Sequence, residues 1–141
     1  MSQTLTLEQI QQMLDRSPFI SFLGLRATAL DLRSGSVTMT MPMRPELQRG
    51  GPGGTAMFHG GPVASFIDTV GDFAVAAAVG GGVPTMNFRV DYLRPSSGSA
   101  LTATATARRI GRSVAVVDID VFDPEGRLTA IGRGTYSTAV G

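Results

Sequence analysis

The residues best equipped for chemistry lie together in the middle of the chain: His59-Gly60-Gly61-Pro62, followed by Ser65, Asp68, Thr69 and Asp72. The last four fall at relative positions 0, 3, 4 and 7, so a helix carries them on one stripe. Residues 63, 64, 66, 67, 70 and 73–79 are apolar and cover almost the whole circumference of that helix, which marks a core element that something must wrap. An ionised carboxylate is costly there unless it is paired or hydrogen-bonded. Asp68 and Asp72 are therefore candidate functional groups, to be weighed against a plainer role as the solvated side of a partly exposed helix.

The head of the same helix offers a complementary chemistry. Pro62 after two glycines predicts a helix start near Gly61, because proline suits the first turn and has no amide hydrogen to lose. First-turn N–H groups lack intrahelical partners and, with the helix dipole, favour negative charge. The Gly60 amide is thus a candidate donor to a carbonyl oxygen that becomes anionic, an interaction typically contributing ~3–4 kcal/mol. Asp68 is the nearest candidate base or nucleophile. Eight helical residues span ~12 Å, too far for one carbonyl carbon to meet Gly60 and Asp68 of the same chain. A two-fold dimer with antiparallel helices would bring Asp68 of one copy to Gly60 of the other and would form two such sites.

Other candidates carry less. His59, the only histidine, can orient the loop by hydrogen bonding as readily as it can move protons, and alone it makes no metal-site pattern. Ser65 lacks a Gly-x-Ser-x-Gly elbow and a second histidine, which argues against a serine-hydrolase triad. Arg108-Arg109-Ile110-Gly111-Arg112-Ser113 reads as a tight turn whose arginines and amides suit phosphate, or as an ordinary solvated hairpin.

The elements that must position these groups follow from periodicity and punctuation. Thr6 and Gln9 form a capping box, and Ile10, Met13 and Leu14 continue a short amphipathic helix to about Arg16, where Ser17-Pro18 stops it. Residues 24–32 and 36–43 read as strands joined by Arg33-Ser34-Gly35, the second alternating Val37, Met39, Met41 and Met43 with polar residues. Pro45 to Phe58 is a glycine-rich loop expected to be mobile. Gly80-Gly81-Gly82 ends the long helix. Four strands are predicted beyond it, at 84–93, 101–109, 114–122 and 128–137, with Asp123-Pro124-Glu125-Gly126 a strong turn. Read as a meander, these four accept the first two and present one face to the helix. The expected fold is α+β: a curled antiparallel sheet of about six strands around one long central helix, with a short N-terminal helix. That is the hotdog arrangement.

Composition bounds the rest. A chain of 141 residues fits a single domain, 1–141, with residues 1–18 packing on it as the N-terminal helix. A net charge of +1, from 12 basic and 11 acidic residues, gives no polyelectrolyte attraction to nucleic acid. Zero cysteines exclude a disulfide framework and thiolate metal sites. No secretory signal is visible, and two Asp with Gly71 in the longest apolar segment argue against a membrane span, so a cytoplasmic protein is expected. Seven methionines and no tryptophan suit an adaptable apolar pocket or plain core filling.

Five motifs in order, His59-Gly60-Gly61, Asp68-Thr69, Tyr92-Leu93-Arg94-Pro95, Gly111-Arg112 and Ala130-x-Gly132, resemble the hotdog-fold acyl-CoA thioesterases of the phenylacetate-degradation (PaaI-like) type. The resemblance covers roughly residues 20–138. It implies hydrolysis of an aryl- or medium/long-chain acyl-CoA to free acid and CoA, with Asp68 as the catalytic carboxylate, Gly60 as the amide that polarises the thioester carbonyl and His59 beside it. It implies that Thr85 helps to position water. Gly61, Asp72, Asn87, Tyr92, Arg109, Gly111, Arg112, Ser113 and Val114 would contact substrate or CoA. No metal and no separate cofactor are implied, since CoA enters with the substrate, and the assembly would be a homodimer at least and a homotetramer as usual in the family. Two departures stand out: Gly53 occupies a position where such proteins often carry Asn or Gln, and Asp72 one where some carry Thr. The alternative reading is a non-catalytic acyl-CoA-binding module on the same scaffold.

Overall fold

A computed structural model describes residues 3–51 and 54–141. Helix α1, Leu7–Arg16, begins with the expected capping box, the Thr6 side chain accepting from the Gln9 N–H while the Gln9 side chain accepts from the Thr6 N–H. It buries Ile10 and Leu14. Gln11 fastens it to the chain beyond, donating to the Leu25 carbonyl at 3.2 Å and accepting from the Ala27 N–H at 2.8 Å. Pro18 ends α1 as expected, but it also starts a second short helix, α2, Pro18–Leu23, closed by Gly24 in the left-handed region at φ 72°. Six residues are too few to show a helical period, so only the Pro-to-Gly punctuation announced this element.

Strands β1, Arg26–Asp31, and β2, Ser36–Pro42, pair antiparallel where the sequence places them. Val37, Met39 and Met41 of β2 point inward and are fully buried. Beyond a 3₁₀ turn at Pro45–Leu47, the described parts of the glycine-rich loop are pinned: Gln48 pairs with Phe58, and its side-chain oxygen accepts from the N–H groups of Thr55 and Ala56 at 3.0 and 3.3 Å. Gly53, the first of the two departures, lies outside the described residues.

Helix α3, Gly60–Val79, starts one residue earlier than expected and ends at Gly80, whose φ of 96° no β-carbon would favour. Strands β3, Thr85–Tyr92, β4, Ala100–Ile110, β5, Val114–Phe122, and β6, Leu128–Ser137, complete one six-stranded antiparallel sheet in the order β1-β2-β4-β5-β6-β3. The four-strand meander is thereby corrected: β4, β5 and β6 form it, whereas β3 pairs with the far side of β6 and becomes an edge. The reason is the connection after β3, which is no hairpin. The N–H groups of Leu93 and Arg94 donate to the Thr129 carbonyl, and Ser96 then accepts from Phe58 beside the helix head. Ser99 finally accepts from Met43, delivering the chain to the side of β2.

The sheet curls around α3. Ala103 and Ala105 of β4 and Val117, Ile119 and Val121 of β5 are buried with Phe66, Ile67, Val70 and Ala74 of the helix, in a hotdog fold with its apolar interior on the helix axis. By length and hydropathy α3 could cross a membrane, but its apolar side chains pack against this sheet. Large apolar side chains contribute about 1.5–3 kcal/mol each when fully buried, so this packing fixes the rotation of α3. That rotation decides where the polar stripe points.

Candidate active site

Ser65, Asp68, Thr69 and Asp72 all line one cavity of about 610 Å³, as the stripe requires. Its other walls are Met13, Phe19 and Ile20 of α1 and α2, Phe73 of α3 and the segment Gly82-Val83-Pro84. The bland reading of two freely solvated carboxylates is set aside, because Asp68 and Asp72 are both only half-exposed and each is held. Thr85 Oγ1 donates to Asp68 Oδ1 at 2.8 Å. For Asp72, burial, with a smaller contribution from the charge of Asp68, outweighs the opposing effect of the Val83 backbone N–H and pushes its carboxyl up to about 7. Thr69 is occupied locally, donating to the Ser65 carbonyl at 2.8 Å.

The helix backbone beneath Asp68 is anchored from the sheet. Tyr136 of β6 is fully buried and donates to the Asp68 carbonyl at 3.1 Å. Two glycines make room for it: a β-carbon on Gly71 or on Gly134 would collide with the Tyr136 hydroxyl. Gly132 serves α3 in the same way, since a β-carbon there would lie 2.6 Å from Ile67. Burial raises the Tyr136 phenol far above its ordinary pKa, so it stays a donor.

The head of α3 opens into a second cavity, of about 340 Å³, lined by Arg49, Phe58, Gly60, Val63, Tyr92 and the Leu93–Ser96 segment. His59 is the N-cap, and its Nδ1 accepts from the Gly61 N–H at 3.0 Å, which places the proton of the neutral ring on Nε2. The Gly60 carbonyl accepts from the Tyr92 hydroxyl at 2.6 Å. The Gly60 N–H has no protein acceptor among the described residues. A carboxylate and an unengaged helix-head amide are thus present, in separate cavities of one chain.

The model of the thioesterase superfamily matches residues 56–130. A relative in Halobacterium salinarum, named for a candidate esterase activity, is 36% identical over 90% of this chain and 88% of its own. This chain belongs to the thioesterase superfamily. The solved PaaI protein of the Escherichia coli phenylacetic acid degradation operon superposes with a TM-score of 0.81 at 26% identity, covering 95% of this chain and 93% of that one. A medium/long-chain acyl-CoA thioesterase of Escherichia coli K12 is 40% identical over 52 residues, 37% of this chain and 34% of its own. The family model's span begins just before the helix head and ends in β6, so it contains both cavities' α3 residues.

Within this superfamily member the residues anticipated from sequence divide between the two cavities and positions that line neither. Asp68, Asp72 and Thr85 meet at the carboxylate cavity; His59, Gly60, Gly61 and Tyr92 meet at the helix head. The Arg109, Gly111, Arg112, Ser113 and Val114 turn lines neither cavity. It sits beyond β6 from the carboxylate cavity, Thr138 donating to the Arg112 carbonyl and Ser137 to that of Pro84. Asn87 is exposed on β3 next to a register shift and also lines neither. Sequence reasoning missed Tyr136, for which the Gly132 and Gly134 alternation in β6 was the available signal, and the wall from α1 and α2. Among the described residues no group of three or more His, Cys, Asp or Glu could hold a metal ion.

Proposed function

We propose that the protein hydrolyses acyl-CoA thioesters in the cytoplasm, as a homodimer at least and as a homotetramer built from two dimers. Asp68 of one copy and the Gly60 N–H of the other act on the same carbonyl. The observation that carries this reading is the separation of the two groups: one helix holds the carboxylate in one cavity and the free amide in another. Between them runs an edge strand, β3, with Met86, Phe88 and Tyr92 at 59, 38 and 53% exposure. An exposed apolar edge invites pairing with another strand. A two-fold contact along β3 sets the neighbouring α3 helices antiparallel and presents each Asp68 to the other copy's Gly60.

In this arrangement the Gly60 N–H stabilises the developing oxyanion, and Asp68, oriented by Thr85, either takes a proton from the attacking water or attacks the thioester carbon itself. The carbon–sulfur bond then breaks and CoA leaves as the thiolate, which takes up a proton; where Asp68 is the attacking group, water next hydrolyses the acyl–Asp68 anhydride to the free acid and the regenerated carboxylate. In a single turnover in labelled water, label in the Asp68 carboxylate reveals the anhydride route, and its absence favours direct attack by water. The apolar walls from Met13, Phe19, Ile20 and Phe73 accept an aryl or medium-to-long aliphatic acyl group. The acyl-CoA assignment is also supported by the partial match to the medium/long-chain acyl-CoA thioesterase.

Subunit mixing tests the shared site. Asp68→Asn removes the base, and Gly60→Pro removes the amide at a helix position that tolerates proline. Each variant alone is expected to be nearly inactive in a thiol-release assay. Mixed in equal amounts after dissociation, half of the dimers carry one intact site, and activity should return to roughly a quarter of wild type. No recovery, with exchange demonstrated, would overturn a site shared between copies.

A further inference from the structure

Two consecutive glycines begin α3, and glycine is the residue with the most backbone freedom to lose. An oxyanion donor at such a place needs restraint from outside, because a hydrogen bond weakens steeply once its angle is lost. The approach to the helix is fixed by two backbone bonds, Phe58 N–H to the Ser96 carbonyl at 2.8 Å and His59 N–H to the Leu47 carbonyl at 2.7 Å. Inside the helix the restraint passes to side chains. The peptide joining Gly60 to Gly61 is gripped at both ends, its N–H by His59 Nδ1 and its carbonyl by the Tyr92 hydroxyl.

The Tyr92 bond, at 2.6 Å, is the shorter of the two. A β-carbon on Gly60 would lie 3.3 Å from the Tyr92 oxygen and 3.4 Å from the ring carbon bearing it, so the ring lies against the glycine itself. Tyr92 ends β3, and Thr85, which holds the Asp68 carboxylate, begins it. One edge strand therefore carries a hydroxyl to each half of the candidate site.

We propose that Tyr92 is a positioning residue for hydrolysis: through the Gly60 carbonyl, its hydroxyl fixes the first turn of α3 and so aims the neighbouring Gly60 N–H at the thioester oxygen. This rests on the reading that the Gly60 amide polarises that carbonyl. It differs from a role in CoA binding, in which the hydroxyl would touch the nucleotide part of the substrate and leave the rate of bond cleavage alone.

The test compares the full-length wild type with Tyr92→Phe on two thioesters of the same acyl group, one of CoA and one of N-acetylcysteamine, which lacks the nucleotide. Loss of one neutral hydrogen bond at a half-exposed site should lower kcat by about 3- to 10-fold on both, with KM nearly unchanged. A raised KM for the CoA ester alone, or an unchanged kcat on both, would overturn the proposal. The ¹³C shift of the Gly60 carbonyl supplies a second readout independent of turnover. It should move in Tyr92→Phe while Asp68 and the sheet keep their shifts, and a shift identical to wild type would refute the clamp. If the wild type releases thiol from neither ester, the reading under Proposed function fails and the catalytic consequence with it. The carbonyl shift then decides the clamp by itself.

Discussion

The head of α3 and its middle stand about two turns apart and are built by opposite means. At the head, the groups on offer are those of the backbone: an exposed His59 and a half-exposed Tyr92 hold a glycine peptide by hydrogen bonds, with Arg49 and Arg94 on the cavity wall. In the middle, they are side chains. Asp68 and Asp72 face apolar walls, and the backbone beneath them is locked by a fully buried tyrosine seated on glycines. The difference teaches why the two groups are kept apart. A carboxylate placed at the head of its own helix would accept the first-turn amides as a cap and occupy the donor that the proposed reaction gives to substrate. Distance along the helix leaves the Gly60 N–H unengaged, and in the proposed dimer the second copy brings Asp68 to it.

The largest way to break this comparison is Asp68→Asn, which should lower turnover by ~100-fold or more in a thiol-release assay while leaving the fold intact. Next comes the rigid middle. Gly71→Ala gains up to about 1 kcal/mol of helix propensity, but its β-carbon meets the Tyr136 hydroxyl and lies 3.1 Å from Ile119. Overpacking of this kind costs about 1–3 kcal/mol, so a net loss of stability is expected on denaturant unfolding, whereas Gly61→Ala at the head should change stability little. Thr85→Val, which removes the bond to Asp68, should lower kcat by about 10-fold with KM unchanged.

The smallest effect sharpens the electrostatic side. The Asp72 carboxyl sits near 3.8 unfolded and about 7 folded, so between those values the folded chain keeps a proton that the unfolded chain has shed. The contribution of this group to stability therefore falls as pH rises through that window and levels off above it. Asp72→Asn removes the penalty, and its Tm should gain on wild type more at pH 8 than at pH 5. Equal gains at both values would show that Asp72 is not held against ionisation.

Much of the fold is legible in the residues. The Thr6 capping box, the alternation of Val37, Met39 and Met41, the glycine stop after Val79 and the polar stripe 65, 68, 69 and 72 are local signals, and the structure follows each of them. The place of β3 was not legible. Met86, Phe88 and Tyr92 alternate like a strand with a buried face, yet in this chain they are exposed, because pairing partners are chosen by the whole sheet and not by the strand. Tyr136 was overlooked for a similar reason: a tyrosine in a strand declares nothing until the glycines that seat it come from another element.

What the sequence by itself determined is the stripe of carboxylates and the glycine-rich helix head, because helical geometry converts spacing directly into position. What only tertiary structure decided is which groups hold them. Thr85, Tyr92 and Tyr136 come from strands distant in the chain, and their hydroxyls meet α3 only after the sheet has chosen its order and curled around the helix. Hydrogen bonds reach about 3 Å, so a contact between remote segments exists only once packing has brought them within that range.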